Sequence, residues 1–489
     1  MVFLDVSKAF DKVWHRCLIY KLKQFGITDG LLNWFSSYLE NMIQRVDGQA
    51  SQWKPLEAGV PQGSVLGPLL FLIYINDLLE NLESDTHLFA DDTSLLDIYS
   101  DSKLSCIQIN NDLTKISAWG KLWKVTFNPS KTKYIIFSYH QSYPEYPNVV
   151  FNGINVERVV EHVHLGLTIT SNLSWRRHID SVIHKASRVI NLMNFIKHRL
   201  PRSGLSSVYK SMVLPILEYC DVIYDNCSVR ESAALEQVQR RAALACTGAY
   251  KHTRNDLLLS ELGWLPLKER RADHKLCLLF KMLRGLSPPY LTAALPLQRD
   301  TGYNLRRTGD GSLPIVRCRL NCVRNSFCHS TIRLWNSLSP ESRNSPSLES
   351  FKRNLKKLHV RITPFQPHLY ANFFGKAAVY HTRLRLGLSA LNFQRFKYNF
   401  INIMSCEKCG AAKEDVAHLM FHCPAYAVPR QTLIQSLHQV LPDDVFRSQK
   451  NLEKILLFGS NSFNVTINLS FFKLVQDFLI SIGRFERVH

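Results

Sequence analysis

The sequence contains no hydrophobic stretch long enough to cross a membrane. Its longest apolar run, residues 65–75, is interrupted by Pro68 and stops at Asn76, well short of the roughly 20 residues that a spanning helix needs. The first residues also lack the basic segment and apolar core of a secretion signal. These two absences predict an intracellular protein that is neither secreted nor embedded in a membrane.

Acidic residues are scarce relative to basic ones. The 489-residue chain has 40 Asp and Glu against 60 Lys and Arg, a net charge of +20. A hydrophobic fraction of 46% excludes a disordered chain. The excess positive charge predicts a polyanionic partner, with nucleic acid first and an acidic membrane surface second. The alternative is a basic protein whose charge only aids solubility.

Closely spaced cysteines are equally rare. Of twelve cysteines, only three occur at the tight spacing of metal ligands, and without a secretion signal the others are predicted to be reduced thiols. The sequence shows no internal repeat and no low-complexity tract. The length predicts two to four domains with a sizeable core.

Hydrophobic periodicity predicts an α+β region followed by helices. Short apolar strands alternate with amphipathic helices in the first part of the chain, which predicts a sheet with helices on one face. Residues 348–359 predict a basic amphipathic helix whose charged side faces solvent. Together with the motifs described below, the pattern divides the chain into five segments: 1–140, 141–250, 251–360, 361–430 and 431–489.

Three aspartates are candidates for phosphoryl-transfer chemistry. Asp5 ends the first predicted strand, and Asp91 and Asp92 lie at the tip of a predicted hairpin. Mg²⁺ prefers carboxylate oxygens, and a pair of Mg²⁺ ions can stabilise the attacking and leaving oxygens of a displacement at phosphorus. An Asp-Asp pair alone is a common surface turn, so the surrounding sequence decides between the two interpretations.

That surrounding sequence resembles a known family. Five segments, in order, are similar to the motifs of reverse transcriptases from non-LTR retrotransposons: 3–13, 59–68, 89–92, 128–133 and 164–166. Ala90 before the aspartates and the Gly67-Pro68 ending favour this group over retroviral-type enzymes. Later segments are similar to the region that follows in jockey-like elements: 209–219, 239–242, 261–266 and 334–338.

The resemblance implies a right-hand polymerase. Residues 1–140 would be the palm, with the fingers largely missing, and residues 141–250 a primer-grip hairpin and helical thumb. Residues 251–360 would be a helical connector, and residues 361–489 a mainly helical C-terminal region. The implied partners are an RNA template, a DNA primer at a nicked target and dNTPs, and the implied location is the nucleus and a cytoplasmic ribonucleoprotein.

The resemblance also implies roles for individual catalytic residues. Asp5, Asp91 and Asp92 would be the ligands of two Mg²⁺ ions. Lys131 would be a general acid toward the leaving pyrophosphate, although a lysine after a turn is usually only solvated. Asp11 matches the family pattern but is interpreted as structural.

Further residues would contact the substrates. Phe10 would exclude a ribose 2′-OH by its bulk, with plain core packing as the alternative. Gln62 and Gly63 would contact the incoming nucleotide and the template, and His164-Leu165-Gly166 would form the primer grip.

A second candidate site has the spacing of zinc ligands. Cys406, Cys409, His418 and Cys423 offer three thiolates and one imidazole, the donor set of a closed, structural Zn²⁺ site. His422 is a rival to His418, and four unrelated residues are the alternative to any site. A module this short can barely bury its own core, so the metal is expected to supply much of its folding energy. Similar knuckles in the family are implied to bind nucleic acid.

The resemblance leaves a gap before residue 3. Much of the fingers subdomain and an endonuclease would precede that point, which predicts a truncated gene product or a decayed element copy. Two alternatives to an active polymerase follow: a catalytically inactive nucleic-acid-binding remnant, and a protein-interaction scaffold.

Overall fold

The computed structural model describes residues 1–40, 57–138, 145–295, 311–359, 364–373 and 375–485, with the backbone of two short strands between residues 45 and 50. The chain forms two compact units, residues 1–178 and 179–489. The five segments predicted from the sequence stay predictions. None of the helices in the described ranges is both long and apolar enough to span a bilayer.

The first unit contains the strands. They are β1 Val2–Leu4, β2 Arg45–Val46, β3 Gln49–Ala50, β4 Asp85–Phe89, β5 Asp92–Leu96, β6 Lys133–Tyr134, β7 Val150–Phe151, β8 Ile154–Asn155, β9 Glu157–Arg158, β10 Glu161–His164 and β11 Leu167–Thr170. Its helices are α1 His15–Gln24, α2 Asp29–Leu39, α3 Leu66–Ile75 and α4 Ser102–Trp123. The boundary between the units falls in the first turn of α5, Arg176–Ile196.

The central sheet has the order β4-β5-β1-β6-β9, antiparallel except for the β6–β9 pair. Its middle strand, β1, is buried on both faces. Val2 and Leu4 belong to a core that includes Leu70 of α3 and Ile109 of α4, because alternate residues of a strand point to opposite faces. Helices therefore cover one face of the sheet, as the sequence predicted.

Asp112 ties the longest helix of this unit to the sheet. Its side chain is buried in α4 and accepts hydrogen bonds from the backbone N–H groups of Glu83 and Ser84, at 3.1 and 2.9 Å, just before β4. Burial by itself raises the pKa of Asp112, but these hydrogen bonds and Lys115 outweigh it and hold the pKa below its ordinary value. The ionised carboxylate thus fixes the start of the β4–β5 hairpin.

The second unit is helical within its described residues. The helices are α6 Arg202–Val208, α7 Leu214–Glu218, α8 Asp221–Tyr224, α9 Val229–Thr247, α10 Asn255–Leu262, α11 Leu267–Leu283, α12 Pro289–Ala293, α13 Asn321–Asn325, α14 Phe327–Asn336, α15 Pro340–Arg343, α16 Leu348–Leu358, α17 Pro367–Tyr370, α18 Gly375–Arg385, α19 Asn392–Lys397, α20 Ala427–His438, α21 Gln449–Phe458 and α22 Val465–Ser481.

The helix boundaries follow ordinary capping rules. Ser228 and Glu231 form a capping box at the start of α9, and Gly248 ends it in the left-handed conformation with φ 65°. The basic helix α16 buries Phe351 and Leu355, and the Phe351 ring stacks on Phe280 of α11 at 4.7 Å. Its lysines face solvent, as predicted. The α+β class is therefore confirmed, while the right-hand arrangement stays a proposal.

Candidate active site and candidate metal centre

The register of the central sheet brings Asp5 beside Asp92. Leu4 of β1 is paired with Thr93 of β5, so the next antiparallel position places Asp5 opposite Asp92. Antiparallel partners share a face, and this face is the one opposite the helix-covered core. Two of the three predicted carboxylates are thus neighbours on the open side of the sheet.

The third carboxylate lies at the hairpin tip. Phe89 and Asp92 form the last pair of the β4–β5 ladder, which leaves Ala90 and Asp91 as a two-residue turn. Ala90 has φ 53°, in the left-handed region. The prediction of two strands folded around Asp91-Asp92 is therefore confirmed.

Lys131 lies next to Asp5 because of a backbone contact between their segments. The N–H of Asn128 donates to the carbonyl of Asp5 at 2.9 Å, and the carbonyl of Asn128 accepts from Lys131 and Thr132 to close a turn. The Lys131 Nζ then lies 3.8 Å from Asp5 Oδ2, with side-chain exposures of 69% and 39%. A pair this exposed adds little stability.

The first two motif segments also lie together. The N–H of Val60 donates to the carbonyl of Phe10 at 2.9 Å, and the Gln62 side-chain amide donates to Asp11 Oδ1 at 2.9 Å. The Phe10 ring is half-buried and lies 4.9 Å from the Phe71 ring. Phe10 thus packs on the core and still presents part of its ring outward, and Asp11 has a partner that the sequence did not reveal.

The primer-grip segment lies on the same open face. Leu165 and Gly166 form the turn between β10 and β11 with φ 47° and 78°, two successive positive values of the kind that tight hairpins require. The rings of His162 and His164 cover Phe3 of β1, at 4.2 and 5.0 Å. Burial lowers the pKa of His164, although nearby Asp92 opposes this. His162 was missed in the sequence because only the folded hairpin brings it to β1.

The three aspartates are not gathered into one tight ligand cluster. Among the described residues, three or more potential metal-ligand atoms converge only at Cys406, Cys409, His418 and Cys423. Asp5 pairs with Lys131 instead. The donor chemistry still fits Mg²⁺, because exposed carboxylates from neighbouring strands are its usual protein ligands.

The predicted zinc ligands do converge. Their ligand atoms all lie within 4.8 Å of one another: Cys406 Sγ is 3.9 Å from Cys423 Sγ, and Cys409 Sγ is 3.4 Å from His418 Nε2. Tetrahedral Zn²⁺ with Zn–S bonds near 2.3 Å sets sulfur atoms about 3.8 Å apart. Three thiolates and an imidazole at these distances fit zinc, which would hold the two halves of the module together.

Local backbone features create this convergence. Gly410, with φ 72°, closes a turn in which its N–H donates to the carbonyl of Cys406 at 2.9 Å. On the other side, the N–H of His418 donates to Asp415 Oδ1 at 2.8 Å. His422, the rival ligand, instead lies 2.7 Å from the side-chain amide of Gln449, so the structure selects His418.

The surroundings of the knuckle correct one expectation. Cys406 and Cys423 are buried in a core shared with Leu419 and with α20 and α22, so the module does not stand alone. Its fully buried Glu414 accepts hydrogen bonds from Arg484 at 2.7 and 2.8 Å. The expectation that this module buries almost no core was wrong, because sequence spacing does not show what packs around it.

The two histidines give a matched test of the metal centre. We expect His418→Ala to reduce zinc content from about one ion per chain to well below half, because one of four ligands is removed. His422→Ala is expected to retain the ion. Elemental analysis of the purified full chain measures both variants. Equal zinc content in the two would contradict the ligand assignment.

Comparison with known proteins agrees with this geometry. Residues 1–169 match the family model described as reverse transcriptase (RNA-dependent DNA polymerase). The chain is 31% identical over 281 residues to the RNA-directed DNA polymerase from mobile element jockey of Drosophila funebris, which covers 53% of this chain and 30% of that protein. It is 27% identical over 288 residues to the probable RNA-directed DNA polymerase from transposon BS of Drosophila melanogaster, covering 56% and 32%.

A third relative extends the similarity into the second unit. The Pol polyprotein from type-1 retrotransposable element R1 of Bradysia coprophila is 24% identical over 449 residues, covering 86% of this chain and 40% of that protein. The chain thus spans only about a third of the length of the curated relatives it matches. Residues 1–169 therefore resemble a reverse transcriptase domain, and over about half of its length the chain is similar to the RNA-directed DNA polymerases of mobile elements such as jockey.

Proposed function

We propose that this chain carries RNA-directed DNA polymerase activity, adding dNTPs to a DNA 3′-OH opposite an RNA template. The observation that supports this most strongly is the meeting of four motif segments on one open face. Asp5, Asp92, Lys131 and the β10–β11 hairpin all adjoin the face of β1 opposite the helix-covered core. Packing in the core does not explain why the carboxylates of Asp5 and Asp92 lie exposed at this face.

In this proposal Asp5, Asp91 and Asp92 would hold two Mg²⁺ ions. When bound, the ions would supply charge stabilisation to the attacking and leaving oxygens. Lys131, whose ammonium is exposed beside Asp5, would donate a proton to the departing pyrophosphate. The β10–β11 hairpin would hold the primer end against this face.

The substrates and setting follow from the same proposal. Gln62 and Gly63 would contact the incoming nucleotide and template, and the nicked target DNA would supply the primer, so that reverse transcription is target-primed. The protein would act in the nucleus and in a cytoplasmic ribonucleoprotein. Primer extension on an RNA template, dependent on Mg²⁺ and abolished by chelation, is the experiment that tests the activity; RNA binding without extension would favour an inactive remnant.

The Phe10 ring gives a prediction about sugar selection. Replacing Phe10 by alanine is expected to raise the ratio of ribonucleotide to deoxyribonucleotide incorporation by about 10- to 100-fold, because the bulk of the ring would no longer exclude the ribose 2′-OH. Single-nucleotide extension with each substrate measures the ratio. A smaller fraction of folded enzyme lowers both rates equally and therefore leaves the ratio unchanged. Phe71→Leu, which alters the ring contact behind Phe10, is the control and should change the ratio far less. An unchanged ratio in Phe10→Ala would show that the ring serves only the core.

A further inference from the structure

A basic cleft lies in the second unit, entirely outside the reverse transcriptase domain. It has a volume of about 690 Å³, within the range of ligand-binding cavities. The end of α5, the end of α9 and the start of α18 contribute to its lining. The apolar part of the lining, which includes Leu200, Leu205, Tyr380 and Phe485, is called the floor here, and the basic part the rim.

The charge of the lining has one sign. Within the described part of the chain, the lining includes no carboxylate and six basic residues: Lys197, His198, Arg202, Lys251, Lys376 and Arg383. Arg202 is paired with buried Glu261. The salt bridges among the described residues involve neither Lys197, Lys251, Lys376 nor Arg383. The charges of these four side chains therefore have no counter-charge among the salt bridges of the described residues.

Two further features favour the binding of an anion in this basic cleft. The Arg383 guanidinium is held by its Nε donating to the carbonyl of Gly248 at 3.0 Å and by the Tyr250 ring at 3.9 Å. This contact also offsets the partial negative charge at the C-terminus of α9. The 11-residue helix α18 begins at Gly375 in the cleft lining, so the partial positive charge of its N-terminus adds to that of the basic side chains.

We infer that this cleft is a second nucleic-acid site, where the phosphates of a single strand bind the basic rim and an unpaired base rests on the apolar floor. A strand suits it better than a small anion, because the basic side chains of the rim, including the exposed Lys251 and Lys376, come from several separate segments of the chain. An unpaired base suits it better than a duplex, because only a splayed base can present its face to an apolar and aromatic floor.

The inference does not depend on the polymerase proposal, since every residue of the cleft lies beyond residue 178. It assigns the second unit the task of holding a strand while the first unit acts on the primer end. Either unit could fail in its proposed role without affecting the other.

The test neutralises two rim charges that no described contact needs for folding. Binding of fluorescein-labelled 12-nucleotide oligo(U) and oligo(dT) to the full chain is measured by anisotropy at several salt concentrations. We expect Lys251→Gln combined with Lys376→Gln to weaken binding about tenfold and to reduce the salt slope by about 1.4, since each phosphate contact to a single strand contributes about 0.7. The matched control combines Lys450→Gln with Lys473→Gln, two exposed lysines of the same unit outside the cleft.

The outcomes separate the alternatives. Weaker binding by the cleft variant than by the control variant supports the site, whether it is seen with oligo(U) alone or with both oligonucleotides. Weaker binding of oligo(U) alone would in addition indicate a contact to the ribose 2′-OH. Equal effects in the two variants, or none in either, would overturn it. Competition by inorganic phosphate at the affinity of the strand would overturn it as well. Primer extension by the cleft variant on a saturating, pre-annealed substrate should stay within about twofold of the unmodified chain, which separates this test from that of the polymerase.

Discussion

Replacing Glu261 by glutamine is expected to lower the free energy of unfolding of the second unit by about 3–5 kcal/mol, because it removes the shared counter-charge of two buried guanidinium groups. Arg202 Nη1 and Arg385 Nη2 each donate to Glu261 Oε1 at 2.6 Å, and all three side chains are buried. A neutral amide leaves both cations without a compensating charge in a medium that cannot solvate them.

The position of this triad explains why the effect is large. Arg202 lies in α6, Glu261 in α10 and Arg385 in α18, so the carboxylate joins three helices that are far apart in the chain. The Arg385 guanidinium also lies 3.7 Å from the Tyr370 ring. Loss of the charge therefore disturbs the packing of several elements together.

Asp256→Asn is the matched control. Asp256 pairs with Arg254 at 2.7 Å in the same helical region, but both side chains are exposed, at 47% and 70%. Its removal should change the free energy by less than about 0.5 kcal/mol. Urea denaturation of the full chain, followed by a signal from the second unit, measures both. Similar midpoints for the two variants would contradict the importance of the buried triad.

The same triad predicts a pH dependence. Burial alone raises the pKa of Glu261, but Arg385 and Arg202 outweigh it and hold the pKa below the ordinary 4.5. A lowered pKa means that the stabilisation is complete above about pH 4.5 and is lost as the pH falls through the lowered value. The difference in stability between the unmodified chain and Glu261→Gln should therefore be constant near neutral pH and shrink in acid. A difference that grows in acid would have the wrong sign.

Asp5→Asn is expected to reduce primer extension by about three orders of magnitude. An asparagine preserves the shape of the side chain but lacks the negative charge that binds a divalent ion. The ion is expected to stabilise the transition state by several kcal/mol, which corresponds to a factor of roughly 10³ in rate. Because Asp5 is partly exposed and its pair with Lys131 spans 3.8 Å, folding should be almost unaffected.

Asp11→Asn separates this effect from a general loss of local structure. Asp11 belongs to the same segment but accepts a hydrogen bond from the Gln62 side chain, and the amide oxygen of asparagine can accept it too. We expect a loss of less than about tenfold, since one neutral hydrogen bond is at stake. Steady-state extension rates at saturating dNTP measure both variants. Comparable losses at the two positions would remove the distinction between a metal ligand and a structural aspartate.

Local sequence predicted the parts of the site that depend on neighbouring residues. The hairpin around Asp91-Asp92 and the spacing of Cys406, Cys409, His418 and Cys423 are both local patterns, and both appear in the structure. The pairing of β1 between β5 and β6 depends on contacts about 90 and 130 residues away along the chain, so no local pattern predicted this strand order.

Other features could not be read from the sequence because no local pattern marks them. Asp112 looks like any polar helix residue until its hydrogen bonds to Glu83 and Ser84 are seen. Glu261 and Arg385 meet across 124 residues. The knuckle gains a core from helices that follow it, which reverses the expectation for a module taken alone.

The polymerase proposal is tested most directly by primer extension with the chain itself. Purified protein, with and without Asp91→Ala, receives an RNA template, an annealed DNA primer, dNTPs and Mg²⁺, and binding of the same substrate is followed in parallel. The account predicts extended primer with the unmodified chain and none above background with Asp91→Ala, while both bind the substrate equally. Substrate binding without any extension by the unmodified chain would contradict it and would leave a nucleic-acid-binding remnant of a polymerase.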